Sequence, residues 1–306
     1  MDHQPYGEET TSNERKSLKK TILDAQVTVE TIRKPKEFDA SASRTRPQNC
    51  GGKKMRQRMS CFSDMVTAGG VDRYYKLGET LGSGQYGFVV RATHKTTGRE
   101  VCCKTIAKRA LDDDDIDSVR REIQIMKFLD GHPNIIKLDE VFEDACNIHI
   151  IMELLSGGDL MKRASTSGRF SEKVAAKIFQ GMLVGLTHAH EYGVIHRDLK
   201  LENVLLTDES DNPTPVLVDF GVSTWFKPGQ IMRETVGSPL YVAPEVLKQN
   251  YSCEADLWSA GVMLYVMLSG YLPFQGESDN DVYRAILLGE YDLTTDPWPT
   301  ISASAK

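Results

Sequence analysis

Two short stretches hold the residues best suited to chemistry. One is His196-Arg197-Asp198-Leu199-Lys200-Leu201-Glu202-Asn203; the other, sixteen residues past Asn203, is Asp219-Phe220-Gly221. Between them they offer carboxylates at Asp198 and Asp219, a carboxamide at Asn203 and an ammonium at Lys200. Three oxygen donors from a loop and a nearby turn suit a hard divalent cation that keeps some of its waters. Either tripeptide, His-Arg-Asp or Asp-Phe-Gly, is weak evidence alone. In this order and at this spacing they are strong evidence of a site.

The elements that must position these residues can be read along the chain. Tyr74 to Thr80 has strand character and runs into Leu81-Gly82-Ser83-Gly84-Gln85-Tyr86-Gly87-Phe88-Val89. A Gly-x-Gly-x-x-Gly run that binds dinucleotides opens a helix. Here Phe88 to Thr93 is β-branched and apolar, so a second strand is expected instead. Lys95 to Gly98 turns the chain into a third strand, Glu100 to Ala107, on which alternation puts Cys102, Lys104 and Ile106 on one face. The result is a hairpin with glycines at its tip, where backbone N–H groups can approach an anion with no Cβ in the way. Asp112 to Asp115 precede apolar residues at Ile116, Val119, Ile123, Met126 and Leu129, which predicts an amphipathic helix with acids at its N-terminus. The acidic run does not encode a calcium loop, because neither residue 117 nor residue 118 is the glycine such a loop requires. Gly131 to Asn134 breaks the helix, and strands are expected at Ile135–Val141 and Ile148–Met152. Ser171 and Glu172 open a helix running to about residue 191, and a further apolar helix runs from Asp256 to Leu268. His188, His190 and His196 do not read as a metal site, since the first two lie two apart on a helix and face differently.

The composition is that of an ordinary soluble chain, with 306 residues, 40% hydrophobic and 26% charged. Its net charge of −6 is uneven: residues 1–70 carry 13 Lys and Arg against 9 Asp and Glu, and the remainder 24 against 34. An acidic body argues against a nucleic-acid partner and suits basic peptides. The N-terminal 1–71 segment lacks a hydrophobic period and is expected to be disordered; Lys53 to Arg58 is a basic cluster within it. Six cysteines, Cys50, Cys61, Cys102, Cys103, Cys146 and Cys253, form no Cys-x-x-Cys pair, which fits a reducing compartment. No signal peptide or membrane-spanning segment is expected, and the location expected is cytoplasmic or nuclear.

These motifs resemble the serine/threonine protein kinases of the calcium/calmodulin-dependent group, and in particular the plant-type calcium-dependent kinases. The run Val236-Gly237-Ser238 to Tyr241-Val242-Ala243-Pro244-Glu245-Val246, together with Trp298 to Lys306, carries the subgroup impression. The resemblance implies an α+β, two-lobed kinase fold over residues 72–306. Its β-rich N-lobe and hinge would be 72–155, and its helical C-lobe, lacking the last helices, 156–306. It implies ATP and Mg²⁺ as cofactors. Asp198 would accept the proton of a substrate hydroxyl, Lys200 would touch the phosphoryl group in transfer, and Asn203 and Asp219 would hold Mg²⁺. Lys104 would reach the phosphates, paired with Glu122. The nucleotide would be lined by Leu81 to Val89, by Cys102 where kinases usually have alanine, by backbone groups of Glu153 and Leu155, and by Asp159 and Leu205. Asp256 would hold the catalytic-loop backbone. Glu234 occupies the place of an activating phosphothreonine, so a standing pair with Arg197 is expected. The expected partners are protein substrates with Ser or Thr near basic residues, with upstream calcium/calmodulin-type signalling not encoded in these residues and a monomeric state. A C-terminally truncated lobe is expected to leave Glu245 buried and unpaired, and the alternative function is a kinase-fold binding or scaffold protein.

Overall fold

The computed structural model describes residues 65–84 and 86–306. Expectations for residues 1–64, including the basic cluster, and for Gln85 lie outside the described residues. The fold is α+β and divides into two compact units. One holds the described residues up to Gly131 together with 136–154; the other holds 132–135 and 155–306.

The first unit is an antiparallel sheet with one main helix. After a short helix, α1 (Val71–Tyr74), come β1 (Tyr75–Gly84), β2 (Gly87–His94) and β3 (Glu100–Ala107). Helix α2 (Asp113–Phe128), β4 (Leu138–Glu143) and β5 (Asn147–Glu153) follow. The strand order is β1-β2-β3-β5-β4. Val90, Ala92, Val101, Cys103, Phe142 and Ile151 form an apolar cluster on the sheet. Alternation is visible on β3: Val101 and Cys103 are buried while Cys102 and Lys104 are half-buried. Helix α2 begins as its composition dictates. The Asp112 carboxylate accepts from the backbone N–H of Asp115, and Asp115 returns the bond to the N–H of Asp112, a reciprocal cap.

Three boundaries differ from those expected. The strand placed at Ile135 begins at Leu138, because residues 132–135 belong to the other unit: Asn134 Nδ2 donates to the Pro215 carbonyl at 2.8 Å and Leu217 N donates to the Asn134 carbonyl at 2.9 Å. Residues 65–70, assigned to the N-terminal segment, are tied to the first unit. Thr67 N donates to Val141 O at 2.7 Å and Lys127 Nζ to Met65 O at 2.9 Å. Leu155 falls in the second unit, one residue earlier than the expected lobe boundary.

The second unit is mainly helical. It contains α3 (Leu160–Ser167), α4 (Glu172–Glu191), β6 (Val194–Ile195), β7 (Val204–Leu206), β8 (Pro215–Leu217) and β9 (Thr224–Trp225). It ends with α5 (Pro244–Leu247), α6 (Ala255–Ser269) and α7 (Asp279–Leu288). Helix α6 is apolar nearly all round, which is the pattern of a buried helix, and Met263, Val266 and Met267 are at most 2% exposed. No helix among the described residues is long and apolar enough to cross a membrane. Glu245, expected to be buried, is half-buried beside the exposed stretch 248–250, so the full cost of a buried charge does not apply.

Candidate active site

The catalytic-loop stretch is held by a carboxylate from α6. Asp256 is 1% exposed. Its Oδ2 accepts from His196 N and from His190 Nε2, each at 2.8 Å, and its Oδ1 accepts from Arg197 N at 2.8 Å. This holds Arg197 at φ 68°, a left-handed conformation that a side chain with a Cβ rarely adopts. His196 is fully buried; its Nε2 lies 3.1 Å from Val218 O and its ring 5.0 Å from that of Phe220. Ser223 Oγ donates to the His196 carbonyl at 3.0 Å. The histidine is structural, as expected, and so is His190. Among the described residues no three His, Cys, Asp or Glu side chains cluster to hold a metal.

Asp198 sits at the centre of a network of four side chains. Its Oδ2 lies 2.8 Å from Lys200 Nζ, and its Oδ1 accepts from Ser238 Oγ at 2.7 Å. Lys200 Nζ also donates to Ser238 Oγ at 3.0 Å. Asn203 Nδ2 donates to the Asp198 carbonyl at 2.8 Å and to its Oδ2 at 3.1 Å. The carboxylate is 7% exposed as a residue, yet its charge is met on both oxygens. Ser238 went unremarked in the sequence, where it reads as one more small residue before a proline. Its signal was the preceding glycine: Gly237 has φ 105°, and a Cβ there would lie 2.5 Å from Arg197 O. Only glycine allows the activation segment to approach the catalytic loop this closely.

Asn203 spends its N–H groups on Asp198, which leaves its amide oxygen for a cation, and Asp219 is solvent-exposed at φ 62°. An amide oxygen and a carboxylate fit a hard cation that takes its other ligands from phosphate and water. Leu205 lies on β7, paired with Val216 and bridged to Asp159. Asp159 caps α3, accepting from Lys162 N at 2.7 Å, so one of its oxygens already serves the helix.

Two further groups stand out near Asp198. Glu202 Oε2 and the Tyr241 hydroxyl are buried without a hydrogen-bond partner. Burial raises the Glu202 pKa, against a bond from its own backbone N–H and the pull of Lys200, with smaller upward pushes from Asp159 and Asp198.

In the activation segment, Arg197 Nη1 donates to Glu234 Oε2 at 2.7 Å and its Nε to Val222 O at 2.7 Å. The Arg197 side chain is 5% exposed and that of Glu234 73%. Tyr251 fixes the backbone there, its hydroxyl donating to Glu234 O at 2.9 Å.

The first unit carries the remaining expected residues. Lys104 Nζ lies 2.6 Å from Glu122 Oε1, and Glu122 is 4% exposed. Strand register sets Lys104 opposite Val89 on β2 and Ile150 on β5. The glycine run does continue into a strand, with Gly84 opposite Gly87. Leu81, Gly82, Ser83 and Gly84 are exposed, while Tyr86, Phe88 and Val89 are half-buried. Gly87 is required, because a Cβ there would lie 1.8 Å from Thr105 O. Cys102 Sγ donates to Glu153 O at 3.4 Å, and burial pushes its pKa up to about 12, so the thiol stays protonated. The Glu153 carboxylate points away along the sheet, accepting from Lys137 N at 2.8 Å.

The second unit holds a buried carboxylate netted with Lys and Ser and an Asn–Asp oxygen pair, and the first holds a strand lysine paired with a helix glutamate; each set suits phosphotransfer. The protein kinase domain family matches residues 75–306, and the chain belongs to that family. It is 50% identical over 234 residues to calcium-dependent protein kinase 26 of Oryza sativa subsp. japonica, covering 76% of this chain and 43% of that protein. It is 48% identical over 233 residues to calcium-dependent protein kinase 17 of Arabidopsis thaliana, covering 76% of this chain and 44% of the relative. The chain thus spans less than half the length of the curated relatives it matches. ATP and Mg²⁺ are the general requirement of the family.

Proposed function

We propose that this chain is an ATP-dependent serine/threonine protein kinase that prefers hydroxyls near basic residues. The observation that carries this reading is the Asp198 network. A carboxylate with Lys200 on one oxygen and Ser238 on the other is aimed and charged to accept the proton of an incoming hydroxyl. Lys200 then offers positive charge to the phosphoryl group in transfer, and Lys104, fixed by Glu122, offers it to the other phosphates. Mg²⁺ bound by Asn203 and Asp219 would neutralise phosphate charge. Glu202 supports the preference for basic substrates: its partnerless buried oxygen would gain a hydrogen bond from a guanidinium or ammonium. Val266, at a position where some basic-directed kinases carry a second acid, is buried and uncharged here, so no preference for a second basic residue follows from it.

In this reading Glu234 does permanently what a phosphate does elsewhere. It meets the charge of a nearly buried arginine next to the catalytic carboxylate. Activity then needs no phosphorylation at that position. Calcium dependence, present in the relatives' names, would have to reach this chain through signals these residues do not encode.

The test is transfer of phosphate from Mg-ATP to a basic serine peptide. Asp198→Asn keeps the size and hydrogen-bonding reach of the side chain but cannot take a proton. Transfer should fall by at least about 100-fold with the melting temperature little changed. Undiminished transfer in Asp198→Asn, or none in the folded wild type, would sink the reading.

A further inference from the structure

The glycine-rich hairpin is held unequally. On its first arm a Cβ at Gly82 or Gly84 would meet nothing within 4 Å, and residues 81–84 are exposed. The second arm is fastened down. Gly87 lies against the Thr105 carbonyl, and the Tyr86 carbonyl accepts from Ala107 N at 3.0 Å. The Tyr86 hydroxyl reaches further and donates to Asp115 Oδ1 at 2.5 Å. A short hydrogen bond to a carboxylate is among the stronger ones available to a neutral donor.

Asp115 is no ordinary surface acid. Its other oxygen accepts from Asp112 N at 3.1 Å and its own N–H donates to Asp112 Oδ1 at 2.8 Å, so it is built into the cap of α2. Seven residues on, two turns along the same helix, stands Glu122 with its bond to Lys104. One hydroxyl therefore joins the tip of the hairpin to the helix that carries the lysine's partner. A phenylalanine would supply the same ring, and only the hydroxyl makes the connection.

We propose that Tyr86 and Asp115 form a latch that couples the glycine-rich hairpin to α2, so that ordering the hairpin on a nucleotide's phosphates and holding Glu122 on Lys104 reinforce each other. Tyr86 acts here as a positioning residue. The coupling rests on the kinase reading above, and the latch itself rests only on the contacts just described. Coupling of this kind is reciprocal: what nucleotide does for the helix, the helix does for nucleotide.

The experiment measures Mg-ATP affinity and hydrogen exchange of residues 113–128, with and without Mg-ATP, in wild type, Tyr86→Phe, Asp115→Ala and the double variant. Wild type should bind Mg-ATP and slow exchange in 113–128. Tyr86→Phe should bind about fivefold more weakly, lose that nucleotide-induced protection and melt as wild type does. The double variant should bind no more weakly than Asp115→Ala alone, because the two changes break one bond. Tyr86→Phe indistinguishable from wild type in affinity and protection, or losses that add in the double variant, would overturn the coupling. A wild type that binds no Mg-ATP would overturn the kinase reading and the coupling together. In that case the nucleotide-free samples still judge the latch: faster exchange in 113–128 on Tyr86→Phe upholds it, and unchanged exchange overturns it.

Discussion

The catalytic loop and the glycine-rich hairpin serve the same proposed reaction and are built in opposite ways. In the catalytic loop the carboxylate proposed to take the proton and the backbone around it are already held. Asp256 is buried and takes three hydrogen bonds, and Asp198 has a partner on each oxygen. The hairpin leaves Leu81 41% exposed, and a Cβ at Gly82 or Gly84 of its first arm would meet nothing within 4 Å. A group that must take a proton gains from being fixed beforehand, since preorganised dipoles need no rearrangement during the reaction. A loop that must admit and release a nucleotide gains from being ordered by its ligand. The difference teaches that rigidity here follows chemical duty.

The sharpest way to break that comparison is to remove its anchor. Asp256→Ala strips two backbone N–H groups and His190 of their common acceptor in a buried place. The expected loss is about 3 kcal/mol or more, with transfer abolished, because Arg197 loses what holds it in the left-handed region. Urea unfolding measures the first and peptide phosphorylation the second. A variant as stable as wild type would mean the loop holds its shape without the anchor. A smaller effect is expected from Glu234→Ala. Its carboxylate is largely exposed, but it meets an arginine that is not, and Arg197 keeps its second bond to Val222 O. A fall in kcat of about 3- to 10-fold is expected, larger than an ordinary surface pair would give. An unchanged kcat would show that the activation segment is held by Tyr251 and Ser238 alone.

Much of this was legible from the sequence because it depends on local pattern. The hairpin, the amphipathic helix with Glu122 and the buried helix after Asp256 all follow from periodicity and turn residues. The resemblance to kinase motifs then suggested the roles proposed for Asp198, Asn203, Asp219 and Lys104. What could not be read were contacts between distant residues. Ser238 lies 40 residues from Asp198 and Tyr86 lies 29 from Asp115; Gly237 signals a close approach next to Ser238 without naming what is approached, and nothing local marks Tyr86. The strand start at Ile135 was misplaced for a related reason: Asn134 bonds to Pro215 and Leu217 of β8 and Ile135 bridges to Leu217, a tertiary choice that propensity does not record. Helices α3 and α7 were missed although both carry caps, Asp159 bonding Lys162 N and Ser278 paired with Asp281. Their signals are short, and α7 uses aspartate where a capping box usually has glutamate or glutamine.

The sheet unit also holds a buried charge, and this one titrates in an accessible range. His149 on β5 places Nδ1 3.0 Å from Thr105 Oγ1 on β3 and Nε2 3.1 Å from Asp144 Oδ2. Burial is the largest influence and works against its charge, but Asp144 and Cys103 together outweigh it, and the pKa rises from 6.5 to about 9. Asp144 moves the other way. Bonds from His149, Cys146 N and Asn147 N overcome burial and hold its carboxyl well below the usual range. A raised histidine pKa means stability fully present below pH 6.5 and lost as pH climbs through about 9. The aspartate's share is present above its ordinary 3.8 and is lost only as pH falls further. His149→Gln keeps a hydrogen-bonding side chain without the charge. Its deficit against wild type in urea unfolding should be largest near pH 6 and shrink by about 1 kcal/mol or more by pH 9.5. Thr105 and His149 are register partners beside Lys104 and Ile150, so the same rise in pH should speed amide exchange in β3 and β5, after correction for the intrinsic rate. A deficit that does not change with pH would mean that His149 holds the sheet as a neutral side chain.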